Sequence, residues 1–238
     1  MPQVKSAVIV GAGIGGIATA IFLAKKGYSV TIYEKNSGPG GRCSQLIRDG
    51  HRFDLGATML LMPGIYREIF SSLGIEFGEN GTINRLDNLY KIYFDDGETL
   101  SFSTDEEKMK TQLETIEAGS FRKSQKYIAK GYEFFRLAQE KLIKRNFFSF
   151  SEFATISNIL LLFRLKTYIS HNRYIKRFFR HPHLRMAYTF QNIYVGQSPF
   201  DSPALFSMVP AAELKEGSFF PEGGMFAIVK KLADKAEQ

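Results

Sequence analysis

Apolar and polar positions along the chain follow two periods, and the places where the period changes mark its elements. Ala7-Val8-Ile9-Val10 is a short apolar, β-branched run that predicts a strand buried on both faces. A glycine-rich turn follows at once, and residues 17–26 then have the composition of a helix closing at Gly27. Residues 29–33 predict a second strand. Asp49-Gly50-His51-Arg52 reads as a turn leading into a short strand, Phe53-Asp54-Leu55. Ile65, Ile69, Phe70 and Leu73 share one face of an amphipathic helix over 63–73. Residues 89–94 and 99–102 alternate with period two around Asp96-Gly97, which predicts a hairpin. Thr104 or Asp105 then caps a helix whose first turn is acidic, and Phe134, Leu137, Ala138, Lys141 and Leu142 carry helical spacing through 121–143. Residues 147–194 are aromatic, basic and helical in pattern. Gly223-Gly224 reads as a turn opening a last helix over 225–236.

Composition narrows the class. At 238 residues and 44% hydrophobic content the chain can bury a core as one large domain or two small ones. Its single cysteine, Cys43, excludes an internal disulfide and fits a reducing compartment. The first apolar segment contains the glycine-rich turn, so it does not read as a signal peptide. No apolar run approaches the roughly twenty residues that span a bilayer. The net charge of +7 is concentrated: residues 141–185 hold ten Lys and Arg against one acid, Glu152. Basic and large apolar side chains mixed in this way suit a helix lying in the membrane interface, while an ordinary solvated face over a core is the plain alternative. Single-stranded nucleic acid would also meet such a surface, but the chemistry of the N-terminus argues against a nucleic-acid partner. His181-Pro182-His183 has no carboxylate or cysteine nearby and sits among cations, so no metal site is expected.

That chemistry lies in Gly11-x-Gly13-x-x-Gly16 and Glu34. Gly11 permits the tight turn, Gly13 lets backbone approach a pyrophosphate, and Gly16 lets the helix sit close against the strand. Free N–H groups and the positive end of the helix dipole then face the phosphates. Glu34, at the end of the second strand, accepts from an adenosine ribose and repels a 2′-phosphate, which argues against NADP. Strand, glycines, helix, second strand and acid fall in the order this site demands.

Beyond Glu34 come Gly40-Gly41-Arg42 and then Phe53-Asp54-Leu55-Gly56-Ala57-Thr58. With these the chain resembles the FAD-dependent amine oxidase and phytoene desaturase superfamily. Paired glycines let a loop lie flat on a cofactor, and an arginine fork suits phosphate oxygens. Val195-Gly196-Gln197-Ser198-Pro199-Phe200 and Phe220-Pro221-Glu222-Gly223-Gly224-Met225 narrow the resemblance to the phytoene-desaturase type of carotenoid desaturase.

The resemblance implies an α/β fold: a Rossmann-like FAD-binding domain with a parallel sheet, carrying an inserted sheet and helical region for substrate and membrane. It divides the chain into 1–85, 86–212 and 213–238, the last returning into the FAD domain, and implies a further part of the family fold outside this chain. FAD is the implied cofactor, held by Gly11, Gly13, Gly15, Gly16, Glu34, Lys35, Gly40, Gly41 and Arg42, with Gly56, Ala57, Thr58 and Met59 near the flavin ring. The implied reaction removes two hydrogens from a polyene such as phytoene, by hydride transfer to flavin N5 and loss of a proton from the neighbouring carbon. Residues 147–194 would form both tunnel wall and membrane mouth, and segment 141–194 would hold the protein peripherally on the inner, cytoplasmic face of the membrane. Another flavin oxidoreductase of the superfamily (amine oxidase, polyene saturase or isomerase) and a non-catalytic flavin-binding module stay open. No catalytic acid or base is named. Asp54 lies near the flavin strand, where a capping role is as plausible as a chemical one.

Overall fold

The computed structural model describes residues 5–78 and 82–238. The chain forms two units, Met1–Arg85 with Ser218–Gln238, and Leu86–Gly217.

The first unit opens as β1 (Ser6–Val10), α1 (Ile14–Lys25) and β2 (Ser29–Tyr33), with β1 and β2 parallel and Val8 opposite Thr31. The helix starts inside the glycine turn, earlier than composition alone suggests, because Gly15 and Gly16 adopt its first turn. It stops where Gly27 takes a φ of +81°, a conformation in which a Cβ would be strained. The burial expected on both faces of β1 is corrected. α1 buries Ile17, Ala20 and Ile21, but Val8 and Val10 are 66% and 88% exposed. Alternate residues of a strand point to opposite faces, and only the face carrying a helix is covered.

β3 (Gln45–Arg48) and β4 (His51–Asp54) form an antiparallel hairpin. The turn is confined to Asp49 and Gly50, with φ of 52° and 77°. Two left-handed residues match the strand twist of a two-residue hairpin, so His51 and Arg52, expected in the turn, belong to β4. α2 (Pro63–Leu73) buries Phe70 and Leu73, while Ile69, expected on the same face, is exposed. β5 (Ile83–Arg85) leads out of this unit.

The second unit begins with the hairpin β6 (Asn88–Tyr93) and β7 (Thr99–Ser103), turning at Gly97 with φ +88°. α3 (Glu106–Ile116) is capped by Asp105, whose carboxylate accepts from Lys108 N at 3.0 Å. α4 (Ser120–Ala138) runs on into a π-helical turn, Gln139–Ile143. Four short helices follow, α5 (Phe150–Phe153), α6 (Ile156–Arg164), α7 (His171–Ile175) and α8 (Pro182–Ala187), and then α9 (Met208–Glu216). Three are capped by a hydroxyl, from Ser149, Thr155 and Ser170. α4 lies against α9 at Gly131, where a Cβ would fall 2.5 Å from the Ser207 carbonyl oxygen and 2.7 Å from Ala211 Cβ. The basic, aromatic stretch divides in two: Leu165, Tyr174, Ile175, Phe179, Leu184 and Tyr188 are core residues, whereas much of α5 and α6 faces outward.

A polar chain runs through this core. Asn192 Oδ1 lies 2.8 Å from His171 Nδ1, the Tyr127 hydroxyl lies 2.6 Å from His171 Nε2 and donates to the Tyr188 carbonyl at 3.0 Å, and Asn192 Nδ2 donates to Ser202 Oγ. Burial lowers the His171 pKa from 6.5 to about 4, against a smaller opposing pull from Asn192. The unfolded chain therefore takes up a proton near pH 6.5 that the folded chain refuses until pH 4. Stability from this group is complete above pH 6.5 and is lost as pH falls, by about 3 kcal/mol at pH 4. Urea titrations at neutral and acid pH, repeated on His171→Gln, measure it: the variant loses this part of the pH slope.

β8 (Phe219–Pro221) belongs to the first unit and pairs antiparallel with β5, while Leu60 and Phe219 exchange backbone hydrogen bonds at 2.8 and 2.9 Å. α10 (Phe226–Ala236) follows and packs Ile228, Val229 and Leu232 with Ile17, Leu60, Phe70 and Leu73.

Candidate functional site

The glycine turn between β1 and α1 is shaped as its spacing predicts. Gly11 has φ +99° and donates its N–H to the Tyr33 carbonyl at 2.7 Å, tying the loop to β2. A Cβ on Gly16 would lie 2.1 Å from the Gly11 carbonyl oxygen, so only glycine fits there. In front of Gly11, Gly13 and Gly15 the space is open, with no heavy atom within 4 Å of a built Cβ. No side chain caps α1, which leaves its first-turn N–H groups facing that opening.

The second glycine pair folds onto the first. Gly40 N donates to the Ala12 carbonyl at 2.8 Å, Gly13 and Gly40 pair as a parallel bridge, and a Cβ on Gly41 would sit 3.4 Å from Gly13 Cα. Gly40 and Gly41 both have positive φ, 120° and 56°. A 3₁₀ turn, Gly41–Cys43, then presents Arg42 as an exposed side chain. Gly56 closes from the other side: its Cβ would meet the Arg42 carbonyl oxygen at 1.9 Å. The four stretches that the sequence singles out thus meet, residues 11–16, Glu34, 40–42 and Gly56. Lys35 is exposed beside Glu34, Ala57 and Thr58 are exposed, and Met59 is half-buried before the buried Leu60.

Glu34 is held by three donors. Its Oε2 accepts from Ala12 N at 2.8 Å, and its Oε1 accepts from Asn36 N and Asn36 Nδ2, each at 2.9 Å. The Asn36 and Ala12 amides lower its pKa below the ordinary glutamate value, so the group is anionic at neutral pH. A cavity of about 410 Å³ opens beside it, lined by Ala12, Ile17, Glu34, Asn36, Pro39 and Ala233 among others.

Asn36 escapes the sequence reading because it carries no spacing rule; its position two residues after the acid is the only signal. Asp54 resolves toward capping. Its Oδ2 accepts from Met225 N at 2.7 Å and its Oδ1 from Phe226 N at 3.1 Å, at the start of α10. A Cβ on Gly224 would lie 2.6 Å from Asp54 Oδ2, which explains that glycine. The signal was an absence: Gly223-Gly224-Met225 offers α10 no capping side chain of its own. Asp54→Ala should cost about 1 kcal/mol, the usual value of a lost N-cap, and a lowered urea midpoint at unchanged m would show it.

Fold and loop cluster together give the first unit a Rossmann-like β–α–β start. A family model described as an NAD(P)-binding Rossmann-like domain matches residues 9–74. A putrescine oxidase redesigned in its cofactor binding shares the fold with a TM-score of 0.63 at 17% identity, over 98% of this chain and 49% of that one. The zeta-carotene-forming phytoene desaturase of Myxococcus xanthus is 35% identical over 99% of this chain and 46% of its own length. The 4,4′-diapophytoene desaturase of Staphylococcus haemolyticus is 33% identical over 94% of this chain and 45% of its own. Over nearly all of its length the chain is similar to the phytoene and diapophytoene desaturases, as the sequence resemblance implied, and it spans less than half the length of these relatives.

Proposed function

We propose that this chain forms the FAD-binding and substrate-facing part of an oxidoreductase that desaturates a carotenoid precursor such as phytoene. The observation that carries the reading is the convergence of Gly11–Gly16, Glu34 and Gly40-Gly41-Arg42 on one open face beside the cavity, in a chain similar to carotenoid desaturases. The fit to FAD rests on that geometry: bare backbone where a pyrophosphate must approach, a Cβ-forbidding contact at Gly16, and an anionic acceptor at Glu34.

When bound, the flavin supplies the hydride acceptor for removing two hydrogens from the polyene. The chain's own residues bind and orient. Main-chain amides at the start of α1 and the Arg42 guanidinium neutralise the pyrophosphate. Glu34, oriented by Asn36, accepts from the ribose hydroxyls. Gly56, Ala57, Thr58 and Met59 give the ring a low wall of small groups and one thioether. The substrate offers no polar handle, so apolar burial and exclusion of water govern its recognition. It is reached from the membrane, which the protein meets peripherally.

Heat release of the cofactor from the purified complete polypeptide, followed by its absorption spectrum, tests the reading. Free FAD is expected; NAD or no nucleotide overturns it. Coloured products from phytoene-loaded liposomes then separate desaturation from the amine oxidase, saturase or isomerase alternatives.

A further inference from the structure

α6 is apolar on both sides, and the two sides have different surroundings. Asn158, Leu161 and Leu162 share one face with the core residue Leu165 beyond the helix end. Asn158 is buried, donates from Nδ2 to the Phe153 carbonyl at 2.7 Å, and gives its N–H to the Thr155 cap at 3.2 Å. Leu161 and Leu165 join the core of the second unit. The opposite face is Ile156, Ile159, Leu160 and Phe163, one stripe at helical spacing, and these are 79%, 47%, 64% and 61% exposed. No charged residue interrupts the stripe. Phe148 and Phe150, more exposed still, precede it, and Tyr168 follows at 5.7 Å between its ring centre and that of Phe163.

We infer that this face, α6 with Phe148 and Phe150 before it, is the element by which the protein enters an anionic lipid bilayer. The inference rests on the peripheral attachment proposed above and narrows it from the whole basic segment to one exposed stripe. An apolar surface of this size on a soluble chain marks a docking site, and its border identifies the occupant. Within 141–168 there are five cations, Lys141, Lys144, Arg145, Arg164 and Lys166, against Glu152 alone. Glu133 and Glu140 pair with Arg164 and Lys141 from α4 and the turn after it, which leaves the border net basic. A protein groove that received the stripe would gain nothing from a cationic border unless it were acidic, whereas anionic headgroups lie in the plane surrounding any inserted apolar face. Tyr168, an apolar ring with a polar tip, suits the headgroup boundary. The hydroxyls of Ser149 and Thr155 each pair one first-turn N–H, that of Glu152 in α5 and that of Asn158 in α6, which lowers the cost of taking these helix starts out of water.

The chain contains no tryptophan, so Phe163→Trp introduces a single reporter. Mixed phosphatidylcholine–phosphatidylglycerol vesicles should blue-shift its emission, and lipids brominated along the acyl chain should quench it. Leu160→Glu should lower vesicle partitioning at least about tenfold, the value of burying one leucine, with the melting temperature unchanged because Leu160 is exposed. Raising salt or omitting phosphatidylglycerol should weaken binding. The proposal is overturned if the vesicles leave the emission unchanged, if binding occurs without acyl-chain quenching, or if the emission shifts with protein concentration alone, which would make the stripe a contact between copies. Flavin content of the same samples reports the cofactor reading independently.

Discussion

Gly16→Ala should strip the protein of its nucleotide. The added methyl would stand 2.1 Å from the Gly11 carbonyl oxygen, a backbone atom that cannot swing aside as a side chain can. Relief requires α1 to move off β1 or the turn to open, and either change moves the amides meant for the pyrophosphate. Displacements near 1 Å at a pre-organised site cost on the order of a hundredfold in affinity, so retained flavin after desalting should fall from near stoichiometric to near zero. Far-UV circular dichroism should keep most of its helical signal, because the second unit does not depend on this turn. Gly15→Ala is the matched control: no atom lies within 4 Å of its built Cβ, and alanine suits a helical first turn. It should retain far more flavin than Gly16→Ala.

Gly131→Leu should unfold the second unit near ambient temperature. At Gly131 α4 meets α9, with the Ser207 carbonyl 2.5 Å and Ala211 Cβ 2.7 Å from the position of its missing Cβ. Overpacking a core usually costs 1–3 kcal/mol. Here the obstruction is backbone and the insertion is a whole isobutyl group, so about 4 kcal/mol is expected, a large share of a domain's stability. The helices would have to part along their length, exposing Phe134 and Tyr127. Denaturant midpoints and near-ultraviolet dichroism of the tyrosines measure this, and Gly131→Ala should fall between the variant and the parent.

The β1–α1–β2 start, the hairpin at Gly97 and the last helix were legible because their determinants are local. Tight turns need glycine, helices need periodicity, and both signals lie within a few residues. What escaped depends on distant partners. Asp54 caps a helix 171 residues further on, a link no window of sequence contains. Gly131 reads as a weak point within α4 until α9 is laid against it. Val8 and Val10 belong to an apolar run that suggests full burial, yet burial is decided by what covers the second face. The same holds for Ile159, Leu160 and Phe163, whose outward orientation only Asn158 and Leu165 reveal. Residues 11–16 and Gly40-Gly41-Arg42 were recognised separately; their contact through Gly13 and Gly40 needed the fold.

The carboxylate of Asp54 also orders the events of synthesis. The first 85 residues leave the ribosome with β5 lacking its partner strand and Asp54 lacking the amides it will hold. The 132 residues that follow, one uninterrupted stretch, can collapse without waiting for anything behind them. Their collapse shortens the tether between Arg85 and Phe219, so closure of the opening unit becomes a short-loop event, not a search over a long flexible chain. The nascent N-terminal segment must therefore stay unfinished, with Leu60, Phe70 and Leu73 lacking Ile228, Val229 and Leu232, until α10 emerges.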